Sequence, residues 1–203
     1  MLDAERQVLR MILPTTYMGS VEWYRQFLAN PSAVQIEVME SFPKQTYRNR
    51  CTITVPHDSQ SNCQSPIANR LTLTVPVKRA DSKQLTRDVE ISYQQRWQHQ
   101  HWIALVSAYK RTPYFDYYAD FFRPFYEQET RFLVDFNEKI HQVIHQLIRN
   151  SEFKIQNSKF TTDWQGLNLE PTFGNGQSIL DLLFEYGPET IIKLNNANSI
   201  KFV

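Results

Sequence analysis

The hydrophobic spacing of this chain changes once, near Trp97, and that change limits the folds open to it. Before Trp97, short apolar runs are continuous or alternate with polar residues, the pattern of buried or half-buried strands. After it, apolar residues recur three and four apart, the pattern of helices packed on a core. Val8-Leu9-Arg10-Met11-Ile12-Leu13 reads as a strand that Pro14 ends. Gly19 or Ser20 then caps a helix whose apolar positions are Val21, Tyr24, Phe27 and Leu28, and the next strand runs from Val34 to Met39. Strand, helix, strand in that order is a βαβ unit, with its binding crevice past the end of the first strand. The free amides opening the helix would add to that crevice's attraction for an anion, although no glycine-rich phosphate fingerprint is present.

The strand region continues beyond the unit. Leu71, Leu73, Val75 and Val77 alternate onto one face, and Pro76, which lacks a ladder donor, places that strand at an edge or at its own end. Asp88–Tyr93 reads as a further short strand with Val89, Ile91 and Tyr93 on one side. Pro56–Pro66 is a polar surface loop. In the helical half, Trp97, His101, Leu105 and Ala108 form one stripe, and Phe115, Tyr118, Phe122 and Phe125 form a second. Pro124 is expected to open a helix that continues through Phe132, Phe136, Ile140, Val143 and Leu147. Residues 150–170 read as a connection. Ser178-Ile179-Leu180-Asp181 fits a capping box for a helix through Phe184, and Gly187-Pro188 stops it before a last short helix through Leu194. The expected fold class is α/β: an N-terminal βαβ core with additional strands, followed by a mainly helical C-terminal half, all in one domain over residues 1–203.

Charge narrows the partners. A net charge of +1 argues against a surface built throughout for nucleic acid. Residues 44–87 nevertheless carry an excess of six positive charges, which favours an anionic ligand there. The two cysteines, Cys51 and Cys63, are too few for a disulfide framework and have no metal-ligand spacing. No apolar run has the length of a membrane span, and Met1–Arg6 lacks the pattern of a signal peptide, so a cytoplasmic protein is expected.

The densest polar motif is Lys44-Gln45-Thr46-Tyr47-Arg48-Asn49-Arg50-Cys51, which reads as a turn or short loop between two strand-like runs. Arg48 and Arg50 have the same parity, so an extended segment would turn both to one face. Paired guanidiniums beside Lys44 suit a phosphate or carboxylate, which the planar fork of arginine grips with two hydrogen bonds. The bland alternative is a solvated loop whose arginines pair with the protein's own acids. Asn49 and Tyr47 would orient the substrate, and Tyr17, Tyr109 and Tyr117 complete the expected substrate-binding set. His101, on an apolar helical face, is the expected proton-transfer residue, weighed against a core histidine bonded to backbone. His141 and His145 stand one turn apart, but no third ligand is signposted. They read as exposed helix histidines and no metal site is expected. Cys51 reads as a small buried residue, and the Asp116/Asp120 pair as solvated.

The motif Lys44–Cys51 is followed by Leu73–Val77, by His101-Trp102 with Ser107-Ala108-Tyr109, and by Pro113–Tyr118. After these come Pro124-Phe125-Tyr126, Phe132-Leu133, Phe136-Asn137, and Ser178–Phe184 with Gly187-Pro188. This ordered set closely resembles the WbqC-like protein family, over about residues 12–195. The resemblance departs in the first loop, where Thr15, Thr16 and Met18 replace a proline-rich form, and in the longer Pro56–Arg70 loop. It associates the chain with O-antigen and cell-surface polysaccharide gene clusters. It implies an enzyme of that biosynthesis, a transferase acting on a nucleotide-linked sugar or a similar phosphorylated substrate. The rival reading is a non-catalytic binding or assembly protein of such a system. The basic motif would also serve nucleic acid with Tyr47 stacking, a reading the near-neutral charge disfavours. Neither the residues nor the resemblance specifies a cofactor, and the oligomeric state is left open.

Overall fold

The structure is a computed structural model that describes residues 11–29, 31–43, 45–55, 70–78, 83–149 and 177–195. The βαβ unit forms as the spacing predicts. Strand β1 (Met11–Pro14) pairs in parallel with β2 (Val34–Glu37), in the register Met11↔Val34 to Pro14↔Glu37. Helix α1 (Val21–Ala29) makes the crossover and buries Trp23, Tyr24 and Gln26. Ser20 caps it, accepting from the Trp23 amide at 3.2 Å. Strands β3 (Arg50–Thr54) and β4 (Arg70–Thr74) form a separate antiparallel ribbon with Cys51↔Leu73 and Ile53↔Leu71 opposed. Cys51, Ile53, Leu73 and Val75 face the core, whereas Leu71, at the ribbon's end, is exposed.

Two expectations change here. Asp88–Tyr93 is not a continuous strand: Thr86–Asp88 is a 3-10 turn, and only the bridges Val77↔Ile91 and Glu90↔Phe132 follow. The segment is shared between two partners. Glu90 O accepts from Lys78 N at 2.8 Å, while Ile91 N donates to Arg131 O at 2.9 Å. That sharing also breaks the helix expected to run on from Pro124. Helix α4 (Pro124–Glu127) does have proline in its first turn, but Gln128 is extended (φ −112°, ψ 145°). The next helix, α5, starts only at Leu133 and runs to Arg149. The gap is pinned by Tyr93, whose hydroxyl donates to Thr130 O and accepts from Thr130 N at 2.9 and 2.8 Å.

Helices α2 (Trp97–Tyr109), α3 (Phe115–Phe122) and α5 close over the strands. Helix α6 (Ile179–Tyr186) is buried on nearly every side, and a 3-10 turn joins it to α7 (Thr190–Asn195). Phe122, Phe136 and Phe184 are fully enclosed, each worth about 2–3 kcal/mol of apolar burial. Among the described residues, no helix is long and apolar enough to cross a membrane.

Ser178 caps α6 through its hydroxyl, which accepts from Leu180 N at 3.3 Å. Asp181 does not return to Ser178 as a capping box requires; its carboxylate turns to β3 and α2. Gly187 ends α6 at φ +50°, where a Cβ would stand 2.4 Å from the Tyr114 ring. Gly187→Ala therefore meets both backbone strain and the Tyr114 ring, and we expect a loss of about 2–3 kcal/mol in urea unfolding. A loss below about 0.5 kcal/mol would show that Tyr114 repacks freely.

Candidate functional site

The basic motif folds as the turn its position between strands predicts, so the same-face placement of an extended segment does not apply. Residues 45–49 reverse the chain, with Gln45 at φ +59°, and β3 begins only at Arg50. Arg48 and Arg50 therefore do not share a face. Arg48 is buried and grips Glu40 with both arms of its fork, Nη2 to Oε2 at 2.7 Å, its guanidinium over the Tyr47 ring at 4.9 Å. It anchors the turn instead of facing a ligand, and Glu40 is a partner that no spacing in the sequence announces. Asn49 is also buried, donating to Val75 O at 2.9 Å, and its Oδ1 has no partner among the described residues. Lys44 lies outside the described residues.

Backbone groups of the turn bind the loop that follows β1. Tyr47 O accepts from Tyr17 N at 3.0 Å and from the Thr16 hydroxyl at 3.2 Å. Arg48 O accepts from Asn137 of α5 at 2.8 Å. The turn and the loop thus build one wall, and a pocket of about 220 Å³, its open mouth included, lies against it. Thr16, Tyr17, Ser20, Tyr47, Arg50 and Ser178 contribute to its lining. This is the crevice past β1 that the βαβ order predicts. The guanidinium Nε of half-buried Arg50 is shielded from solvent and has no hydrogen-bond partner among the described residues.

Two helices start at this pocket, because Ser20 and Ser178 form an antiparallel bridge. Their opening amides are not free as the sequence suggests. Val21 N donates to Gln177 O at 2.9 Å and Ile179 N to Gly19 O at 3.0 Å, so the two N-termini cap each other. What remains for a ligand is the summed positive end of two helix dipoles and the guanidinium of Arg50. Met18 is held at φ +46° within the same loop, an uncommon conformation for a residue with a side chain.

Behind the pocket lies a buried chain of titratable groups. His101 is buried, and its Nδ1 is 2.9 Å from the Tyr17 hydroxyl, itself 3.0 Å from the Tyr126 hydroxyl. Burial drives the His101 pKa down to about 4, although a hydrogen bond with the Thr74 backbone pulls the other way. The ring is thus neutral near pH 7. Burial raises the Tyr17 and Tyr126 phenols, and it likewise raises the Cys51 thiol, which nearby Asp181 pushes further. A thiol so held is no nucleophile. Tyr17 lines the pocket and touches His101, so it joins the crevice to the histidine.

Tyr109 is buried away from solvent, its hydroxyl donating to Asp181 Oδ1 at 2.6 Å. Asp181 also accepts from the Thr54 amide and hydroxyl, each at 3.2 Å. Burial raises its pKa even so. Tyr117 is 73% exposed on α3 and is not among the pocket residues. His141 and His145 are half-buried, not exposed as their spacing suggests, because their rings pack edge-on against Phe27 at 4.4 and 5.3 Å. No group of three metal-ligating side chains occurs among the described residues. Ser20, Ser178 and Asp181 read as helix-start residues in the sequence, and nothing in their spacing marks them as neighbours of Arg50 or Tyr109.

Comparison with known proteins finds one family. No match appears among the curated proteins or among the solved structures. The family model described as the WbqC-like protein family matches residues 24–159, more than half the chain. The match takes in the basic turn, the β3–β4 ribbon and helices α2 to α5, and the chain belongs to the WbqC-like protein family.

Proposed function

We propose that this protein is a cytoplasmic enzyme of cell-surface polysaccharide (O-antigen) biosynthesis, a transferase that holds a nucleotide-linked sugar or similar phosphorylated substrate at Arg50. One observation carries the reading: a guanidinium whose Nε has no partner among the described residues belongs to the lining of the βαβ crevice where two helix N-termini meet. An anion there would accept from the guanidinium and lie at the positive end of both helices. The family's association with polysaccharide gene clusters supplies the substrate class. Tyr17 lines the pocket and its buried hydroxyl meets His101, so in this reading it would link the substrate to the histidine.

Titration calorimetry with uridine diphosphate and with inorganic phosphate tests the site. Arg50→Ala is expected to weaken binding about 10- to 100-fold, the value of one charge-assisted hydrogen bond, while the melting temperature stays within about 2 °C. Equal affinity in the variant, or no binding of either anion by the wild type, would sink the assignment.

A second reading has an observation of its own. His101 is buried and neutral and does not line this pocket, and among the described residues no imidazole does. That arrangement suits a binding or assembly protein that recognises the same anion without turning it over. Anion binding lost in Arg50→Ala, with no consumption of any sugar nucleotide by the wild type, would favour it.

A further inference from the structure

A second pocket of similar size also touches the loop after β1. It encloses about 210 Å³ with its mouth, and its deep part has room for about one water-sized group. Thr16 lines both pockets, so the two are neighbours. The chemistry of the two is opposite. The first carries Arg50; the second carries Asn137, the carboxylate of Glu138 and the ring of His141, with Thr15 and Trp23 beside them.

Asn137 is the informative residue. It is 2% exposed, and its Nδ2 donates to Arg48 O at 2.8 Å and to the Thr15 hydroxyl at 3.2 Å. The bond to a carbonyl fixes which end of the amide is nitrogen. Its Oδ1 is therefore an acceptor, and it has no partner among the described residues. A buried acceptor without a donor is costly, and such atoms call for a ligand or a bound water. Glu138 is exposed at the same pocket; its Oε1 accepts from Gln142 Nε2 at 3.0 Å, and its second oxygen is a further acceptor. Its negative charge disfavours a phosphate on this side. His141 stays neutral there, its pKa lowered to about 4 by burial and by His145.

We propose that this second pocket is a subsite for a neutral, hydroxyl-bearing group, which donates to Asn137 Oδ1 and to the Glu138 carboxylate. A sugar hydroxyl has the required size and the required donor. Placing that sugar in the same ligand as the anion rests on the Arg50 reading; the affinity of the pocket for hydroxyls does not.

The test is a nitrogen-15 NMR titration of the full chain with glucose, galactose and N-acetylglucosamine, each added alone. At least one sugar should shift the Asn137 side-chain amide saturably. Glu138→Ala should weaken that binding about tenfold, and Arg50→Ala should leave it unchanged. Glu138 is exposed, so its loss leaves the fold intact and keeps the comparison clean. No saturable shift with any of the three sugars would overturn the inference. So would equal binding by Glu138→Ala, or a crystal grown with the best of the sugars that shows only an ordered water on Asn137 Oδ1. Phosphate titrated in the same samples reports on Arg50 alone. Its failure would remove the anion site and leave the hydroxyl subsite standing.

Discussion

Acidification from pH 7 to pH 4 is expected to remove up to about 6 kcal/mol of folding stability, carried mainly by His101 and His141. Each has a folded pKa of about 4, set chiefly by burial, against about 6.5 in an unfolded chain. Between those values the unfolded state binds the proton and the folded state does not. Both contributions are therefore complete above pH 6.5 and are lost as the pH falls toward 4, at about 3 kcal/mol each. His101 faces the neutral phenols of Tyr17 and Tyr126 and the Trp97 ring, while His141 faces Trp23, Tyr24, Phe27 and His145, with Glu138 at the same pocket as the one nearby anion among the described residues. Glu90, held below the ordinary carboxylate range by Lys78 and Arg131, adds to the acid loss, whereas Asp181 opposes it because its pKa is raised. Urea midpoints measured at half-unit steps of pH check this. A curve flat between pH 6.5 and 4.5 would mean that the two rings take up protons without unfolding. His141→Phe should remove about half the slope in that window.

The Asp181 carboxylate is the second place where a small change has a large effect. It accepts from the Tyr109 hydroxyl and from the Thr54 amide and hydroxyl, tying α2 and β3 to the start of α6. Asp181→Ala leaves these donors buried without an acceptor, and we expect about 4 kcal/mol of lost stability. Asp181→Asn is the informative contrast. Its amide oxygen can accept from Tyr109 and the Thr54 amide, and its nitrogen can donate to the Thr54 hydroxyl, which rotates to accept. We expect it to cost about 1 kcal/mol or less, since burial already disfavours the ionised carboxylate. Denaturant unfolding of both variants decides the matter. If Asp181→Ala lies within 1 kcal/mol of wild type, a water has taken the carboxylate's place. If Asp181→Asn is as damaging as Asp181→Ala, the negative charge matters and the hydrogen-bond account is wrong.

Much of the architecture is legible along the chain because local chemistry and burial agree there. Leu13 and Ile36 fall in register on the parallel pair, Ser20 and Ser178 cap the helices they precede, and Pro124 occupies a first turn. Gly187, the stop signal after Phe184, sits at the positive φ that glycine tolerates best. Each of these features depends on a few neighbouring residues. The helix break at Gln128 does not. Gln128–Arg131 have no breaker of their own, and the segment is extended because Ile91 and Tyr93 claim its backbone from nearly forty positions away.

The candidate site divides in the same way. Residue types and spacing alone mark the crevice past β1, the cationic turn beside it and an apolar-faced histidine, because strand order and charge density are properties of the linear chain. Which arginine is tied down, however, depends on Glu40 reaching Arg48, and the fate of the helix amides on two N-termini meeting at Ser20 and Ser178. The unfilled acceptor of Asn137 follows from its amide nitrogen being drawn to Arg48 O. These are pairings between groups far apart in the chain. Their outcome follows from distance and desolvation in the folded molecule, quantities that a string of residues does not carry.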